Sequence, residues 1–189
     1  MKDKNQLRQE FKNARDVFVG DKEALVFESD FQQCFERFVQ DQRLDLNEKI
    51  VACYEPFGSE ASPRGIIRWL FEKNIEVALP QMNGKSLVFS RYTRTMLLVK
   101  NHFNFFEPVE KKPLLPDIVI LPLLAFDEKG HRLGYGQGHY DRALEEILKI
   151  KRPMLIGLSY PCQKAASLPA EPHDQKLDAV LLPKASLLF

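Results

Sequence analysis

The stretch Arg132-Leu133-Gly134-Tyr135-Gly136-Gln137-Gly138-His139-Tyr140-Asp141 concentrates the residue types from which an anion site is built. Glycines at every second position leave a backbone without side-chain bulk, able to take positive φ and to lie against phosphate oxygens. Arg132 adds a cation, and Asp141 adds a carboxylate that could hold a metal ion. Residues 141–149 read as a helix directly behind the loop. A glycine loop that feeds a helix N-terminus aims free N–H groups and the helix dipole at one place. For this stretch alone, a plain glycine-rich turn is the alternative. A Walker A loop is excluded, because no Gly-Lys-Ser/Thr ends the stretch. A dinucleotide fingerprint is excluded too, because the sixth position counted from Gly134 is His139.

Three further groups could complete a site. Lys4, Arg8, Lys12 and Arg15 recur at helical spacing, beside the apolar residues Leu7, Phe11, Ala14 and Phe18 and not opposite them. Cations at the rim of a buried face could reach a polyphosphate; a solvated basic face is the alternative. Glu171-Pro172-His173-Asp174, with Asp178 four residues on, offers carboxylates. Magnesium on nucleotide phosphates takes one or two carboxylates from protein, and Asp141 and Asp174 could supply them. His173 could act as a general base or stand idle in a loop. Glu60, in Gly58-Ser59-Glu60, follows a strand and could hydrogen-bond a nitrogen heterocycle, the alternative being a surface charge.

The elements that must position these groups alternate in period. Residues 4–19 form a helix stopped by Gly20, and a second helix runs from near Asp21 to Gln40 with Leu25, Phe31, Cys34, Phe35 and Phe38 as its buried stripe. Residues 49–54 are a short apolar run of the kind buried on both faces of a sheet. Ser62-Pro63 reads as a cap followed by proline at the first helical position, and that helix continues through Ile66, Ile67, Leu70 and Phe71. Strands follow at 75–80 and 85–92, joined by an Asn83-Gly84 hairpin turn. Further strands are expected at 117–122, 154–158 and 177–182. Strands alternating with helices predict an α/β domain with a largely parallel sheet, whose ligands collect beyond the carboxyl ends of the strands.

The 189 residues, with 44% hydrophobic content and 14 Phe, suit one domain with a sizeable core. A net charge of +1 gives no whole-molecule attraction to nucleic acid. The N-terminus lacks a secretion signal's apolar centre, and the longest apolar run, 118–126, is too short for a bilayer. Three scattered cysteines, Cys34, Cys53 and Cys162, suit reduced thiols in a cytoplasmic protein.

Taken in order, the basic first segment, the glutamate after a strand, Phe126-Asp127-Glu128-Lys129-Gly130-His131-Arg132 with the glycine loop behind it, and Glu171-x-His173-Asp174 resemble the 5-formyltetrahydrofolate cyclo-ligase family, also called 5,10-methenyltetrahydrofolate synthetases. The resemblance runs over nearly the whole chain, and Asn104-Phe105-Phe106-Glu107-Pro108 looks like the family's Glu-Pro segment. It implies an α/β/α sandwich with a mainly parallel, Rossmann-like sheet. The implied reaction converts 5-formyltetrahydrofolate to 5,10-methenyltetrahydrofolate, consuming ATP with Mg2+ and passing through an iminium phosphate. It further implies that Lys4, Arg8, Arg132, Leu133, Gly134, Tyr135, Gly136, Gln137, Gly138, His139 and Tyr140 meet ATP. Glu60, Tyr135, Gln137 and His139 would face the folate, Asp141 and Asp174 would bind Mg2+, and Arg132, Tyr140 and Asp141 would be catalytic. A monomer acting in the cytoplasm, with no nucleic-acid or membrane partner, is expected. The chain departs from the family at His139, where a second tyrosine is usual, and at Ser62-Pro63, where a threonine is usual. A non-catalytic nucleotide or folate binder on the same fold is the alternative, as is a phosphotransferase acting on another small carbonyl or amide.

Overall fold

Asp3 starts the first element. Its carboxylate accepts from the N–H groups of Asn5 and Gln6, both at 2.8 Å, and the Gln6 side chain accepts from the Asp3 N–H at 3.1 Å. This reciprocal capping box opens helix α1 (Lys4–Val19). The helix ends at Gly20, whose N–H still reaches the Asp16 carbonyl at 2.9 Å and whose φ of +50° then turns the chain out of the helix. The computed structural model describes residues 3–20, 25–84, 86–102, 105–171 and 174–189. Helix α2 (Leu25–Asp41) follows, with Phe31, Cys34, Phe35 and Phe38 buried as expected; the burial expected of Leu25 lies outside the described side chains. The expected start of α2 near Asp21 lies outside the described residues, as do Lys85, Asn104 and His173.

The chain then builds β1 (Ile50–Ala52), α3 (Arg64–Glu72), β2 (Glu76–Asn83), β3 (Ser86–Tyr92), β4 (Leu98–Lys100), β5 (Phe106–Pro108), β6 (Pro113–Leu114), β7 (Ile118–Pro122), β8 (Ala125–Phe126), β9 (Arg132–Leu133), α4 (His139–Leu148), β10 (Met154–Leu158), β11 (Ala179–Leu182) and β12 (Ala185–Leu188). Eight strands form one sheet in the order β12-β11-β10-β7-β1-β2-β3-β6. Its centre, β11 to β2, is parallel, and antiparallel pairings close both edges. Alternate residues divide the core between two faces. Val51, Ile118 and Ile120 pack with Phe31 and Phe35 of α2 and with Ile66, Trp69 and Leu70 of α3. Ala52, Val119 and Leu121 pack with Ala143, Leu144 and Ile147 of α4. The result is the expected α/β/α sandwich.

One local reading shifts by a residue. Pro63 occupies the cap position of α3, not the first helical one. Ser62, just before it, accepts a long hydrogen bond from the Arg64 N–H at 3.4 Å and donates its hydroxyl to the Glu28 carboxylate at 2.7 Å. Glu28 is buried and also accepts from Arg68 at 2.9 Å. The segment after β3 carries the β4–β5 hairpin, which is anchored to the sheet by the Met82 N–H donating to Glu107 at 2.9 Å and by Gln81 donating to the Pro108 carbonyl at 2.7 Å. Strand β12 doubles back on β11 as an added edge strand.

Candidate active site

Strands β1 and β7 lie side by side at the middle of the sheet, yet their connections leave in opposite directions. The chain goes from β1 through α3 to β2, and from β7 through α4 to β10 on the other flank. Such a divergence opens a crevice beyond the strand ends, where α/β sheets bind ligands. A cleft of about 380 Å3 occurs there, reached by Tyr54 and Glu55 after β1 and by Pro122 at the end of β7.

One set of lining groups is charged. Arg132, on β9, pairs with Asp141 in the first turn of α4 and also donates to the Gln175 carbonyl. Between them the loop turns at Gly136 (φ +91°) and Gly138 (φ +64°), and Gly138 is the N-cap of α4 with no side chain capping the first turn. The α4 N-terminus is therefore left open to an anion. Arg8 donates from Nε to the Gly134 carbonyl at 3.0 Å, and its guanidinium lies over the side of Gly136 where a Cβ would be. Lys4, one turn earlier on α1, meets Glu171 at 2.8 Å and Asp174 at 3.2 Å. Burial works against the Lys4 charge, but the two carboxylates outweigh it and hold its pKa above the ordinary lysine value.

The other set is apolar around the buried Glu60. Phe57, Pro80, Leu87, Phe105 and Pro122 line the cleft with Glu60. Glu60 is 8% exposed and accepts from the Phe57 N–H at 2.9 Å. Burial raises its pKa, which the Phe57 N–H, the Tyr135 hydroxyl and the nearby Arg15 partly offset. Burial likewise pushes the hydroxyls of Tyr135 and Tyr140 far above the ordinary phenol range. His139 is held below the ordinary histidine value by burial and by Arg142, which leaves the imidazole neutral at neutral pH.

The residues expected from the sequence converge. Lys4, Arg8, Glu60, Arg132, Leu133, Gly134, Tyr135, Gly136, Gln137, Gly138, His139, Tyr140, Asp141 and Asp174 all line this cleft. Asp178 does not: its carboxylate accepts from the Leu155 N–H at 2.8 Å and from Arg152 at 2.6 Å, tying β10 to β11. The basic stripe of α1 splits. Lys12 is exposed and pairs with Asp16 at 3.0 Å, whereas Arg15 is buried beneath the loop. The apolar lining from β2, β3 and Phe105 had no sequence signal, because it depends on how distant segments are arranged beside β1. Among the described residues no three carboxylate, histidine or cysteine side chains gather as a metal cage. Asp141 pairs with Arg132, and Glu171 and Asp174 pair with Lys4, so these hard oxygen donors stand among cations in the cleft. That suits magnesium carried in on phosphates better than an all-protein metal site.

The sequence matches the model of the 5-formyltetrahydrofolate cyclo-ligase family over residues 1–183. It is 36% identical over 159 residues to the 5-formyltetrahydrofolate cyclo-ligase of Haemophilus influenzae, a match covering 78% of this chain and 84% of that one. The Escherichia coli protein of the same name is 36% identical over 141 residues, covering 70% and 77%. Among solved structures, the 5,10-methenyltetrahydrofolate synthetase of Aquifex aeolicus is similar with a TM-score of 0.79 at 25% identity, covering 98% of this chain and 92% of that one. The Mycoplasma pneumoniae 5,10-methenyltetrahydrofolate synthetase shares the fold with a TM-score of 0.72 at 24% identity, covering 95% and 98%. A family match spanning nearly the whole chain, over a fold shared with solved relatives and a cleft that gathers the motif residues, leads to one conclusion: the chain belongs to the 5-formyltetrahydrofolate cyclo-ligase family.

Proposed function

We propose that this protein converts 5-formyltetrahydrofolate to 5,10-methenyltetrahydrofolate at the expense of ATP. The carrying observation is that one cleft joins a cationic, helix-capped loop to an apolar wall bearing the buried Glu60. The first set of groups suits a triphosphate and the second a flat nitrogen heterocycle. In the proposed reaction the formyl oxygen attacks the γ-phosphorus and the bond to ADP breaks, giving an iminium phosphate. Folate N10 then attacks the iminium carbon and loses its proton, and the carbon–oxygen bond breaks to release phosphate.

The demand on the protein is charge management and alignment, not a strong nucleophile. Lys4, Arg8 and Arg132, the backbone of residues 133–140 and the α4 N-terminus would hold the phosphates. Arg132, held by Asp141 and the Gln175 carbonyl, is aimed before the ligand arrives. Tyr140, kept protonated by burial, offers a hydroxyl donor. Glu60 would accept from ring N–H groups, with Tyr135, Gln137 and His139 against the folate. Asp141 and Asp174 would hold Mg2+, which when bound offsets the negative charge of the phosphates. A monomer is the proposed working unit, and the free cysteines support a reducing compartment such as the cytoplasm.

The test is direct. Purified protein, 5-formyltetrahydrofolate and Mg-ATP are mixed, and methenyltetrahydrofolate absorbance is followed. Product is expected at turnover rates. No product at high enzyme, with ATP still raising the melting temperature, would overturn the proposal and leave a nucleotide binder.

A further inference from the structure

Arg15 is 2% exposed and makes its hydrogen bonds to neutral oxygens. Its Nη2 donates to the Tyr135 hydroxyl at 2.7 Å, Nε to the Ser59 hydroxyl at 3.0 Å and Nη1 to the Leu123 carbonyl at 3.5 Å. One guanidinium thus ties α1 to the glycine loop, to the turn before Glu60 and to the end of β7. A buried guanidinium needs a counter-charge. Glu60 supplies it at one remove, because the Tyr135 hydroxyl also hydrogen-bonds the Glu60 carboxylate. The second relay runs through Ser59, whose hydroxyl donates to Asp16.

We propose that Arg15 is a positioning residue for the folate half of the cleft: it holds the Tyr135 side chain against Glu60 by its hydroxyl and keeps that carboxylate an acceptor for ring N–H groups. The proposal rests on the assignment of Glu60 to the folate ring in the reaction above. The groups facing Glu60 are the Tyr54, Tyr135 and Tyr140 hydroxyls and Arg15, so Arg15 is the cation of the set. Burial favours the neutral acid and Arg15 opposes it. Without Arg15, Glu60 takes up its proton at higher pH and becomes a donor where an acceptor is needed. Lys4 and Arg8, two to three turns earlier on α1, serve the phosphate half, so the two halves should respond differently to Arg15.

Four variants test this: Arg15→Gln, Arg15→Lys, Tyr135→Phe and Glu60→Gln, each checked by thermal unfolding. Arg15→Gln is expected to raise the KM for 5-formyltetrahydrofolate at least tenfold while leaving the Kd for ATP, titrated without folate, within twofold. It should also move the acid limb of kcat/KM for the folate to higher pH. Arg15→Lys should restore that limb, because the charge returns, but recover only part of the KM, because an ammonium lacks the guanidinium's fork of donors. Adding Arg15→Gln to Tyr135→Phe should cost less than threefold more, since both break one relay. If Arg15→Gln weakens ATP and folate equally, or leaves the acid limb in place, Arg15 is merely structural and the proposal is overturned. If Arg15→Gln does not fold, Tyr135→Phe must reproduce the selective rise in folate KM, and its failure to do so is equally fatal. Glu60→Gln separates the two ideas. No change in folate KM there removes the ring assignment itself, whereas a rise there with none in Arg15→Gln leaves the assignment standing and removes only Arg15.

Discussion

The Lys4 ammonium lies 3.2 Å from the Asp174 carboxylate although 170 positions separate them. Each comes from near an opposite end of the chain, and they meet at the cleft beside the glycine loop. Lys4→Met is expected to raise the KM for ATP about tenfold, a loss of about 1.4 kcal/mol of phosphate binding. Both side chains are partly exposed, so the pair itself contributes at most about 1 kcal/mol to folding, and calorimetry should show a fall of no more than about 4 °C. An unchanged KM would place Lys4 outside the nucleotide site.

Arg132 and Asp141 hold each other across the mouth of the loop. In the proposed reaction, removing either would leave its partner misaimed where phosphoryl charge develops. Arg132→Ala and Asp141→Asn should each lower kcat at least about a hundredfold, as loss of a preorganised charge group does, with native circular dichroism retained. Chelation of divalent metal should abolish turnover of the unmodified protein, and added Mg2+ should restore it. Near-normal rates in either variant would make the loop structural only.

The three loop glycines should not be equivalent. A Cβ on Gly138 (φ +64°) would meet Arg142 Nη1 at 2.8 Å, and one on Gly136 (φ +91°) would meet Arg8 Cζ at 2.9 Å, whereas one on Gly134 meets nothing within 4 Å. The left-handed conformation costs a residue with a Cβ about 1–2 kcal/mol. Gly136→Ala and Gly138→Ala should therefore lower kcat/KM for ATP about tenfold or more, and Gly134→Ala should stay within about twofold of the unmodified rate, by initial-rate kinetics. Equal losses at all three would remove the backbone argument.

Asp127, ahead of the loop, accepts from the N–H groups of Lys129, His131 and Leu168 and pairs with the His131 ring at 3.0 Å. Burial pushes its pKa up, but the imidazole and the three N–H groups outweigh it and leave the carboxyl below the ordinary aspartate value. A depressed folded-state pKa adds stability that is present above the unfolded value, near 4, and lost as pH falls through the folded one. Asp127→Asn should flatten the fall in melting temperature between about pH 4 and pH 2, followed by thermal unfolding. A curve parallel to that of the unmodified protein would show that Asp127 does not carry this acid sensitivity.

Much of the site was legible because its groups lie close together in sequence or follow a local period. Residues 132–141 hold the loop and its helix N-terminus within ten consecutive positions, and helical spacing put Lys4 and Arg8 on one side of α1. Arg15 and Lys12 belonged to the same stripe, yet one is buried and the other solvated. Local spacing could not separate them, since the difference lies in what covers α1: the glycine loop and Ser59 over Arg15, and solvent over Lys12. Ser62 likewise sits one place before the cap it was expected to fill, and its hydroxyl donates to Glu28 of another helix, a partner that local spacing does not show.

The sequence by itself determined helices α1 to α4, the main strands and the alternation that makes a parallel sheet, and it set three glycines, Arg132 and Asp141 within ten residues, because each follows from backbone preference and side-chain period within a few residues. Only the tertiary structure decided that β1 and β7 are neighbours with diverging connections, that Lys4 meets Asp174, and that Arg15 reaches Glu60 through Tyr135. These are pairings between distant segments, set by how two apolar faces of one sheet are covered at once. No local pattern contains that constraint.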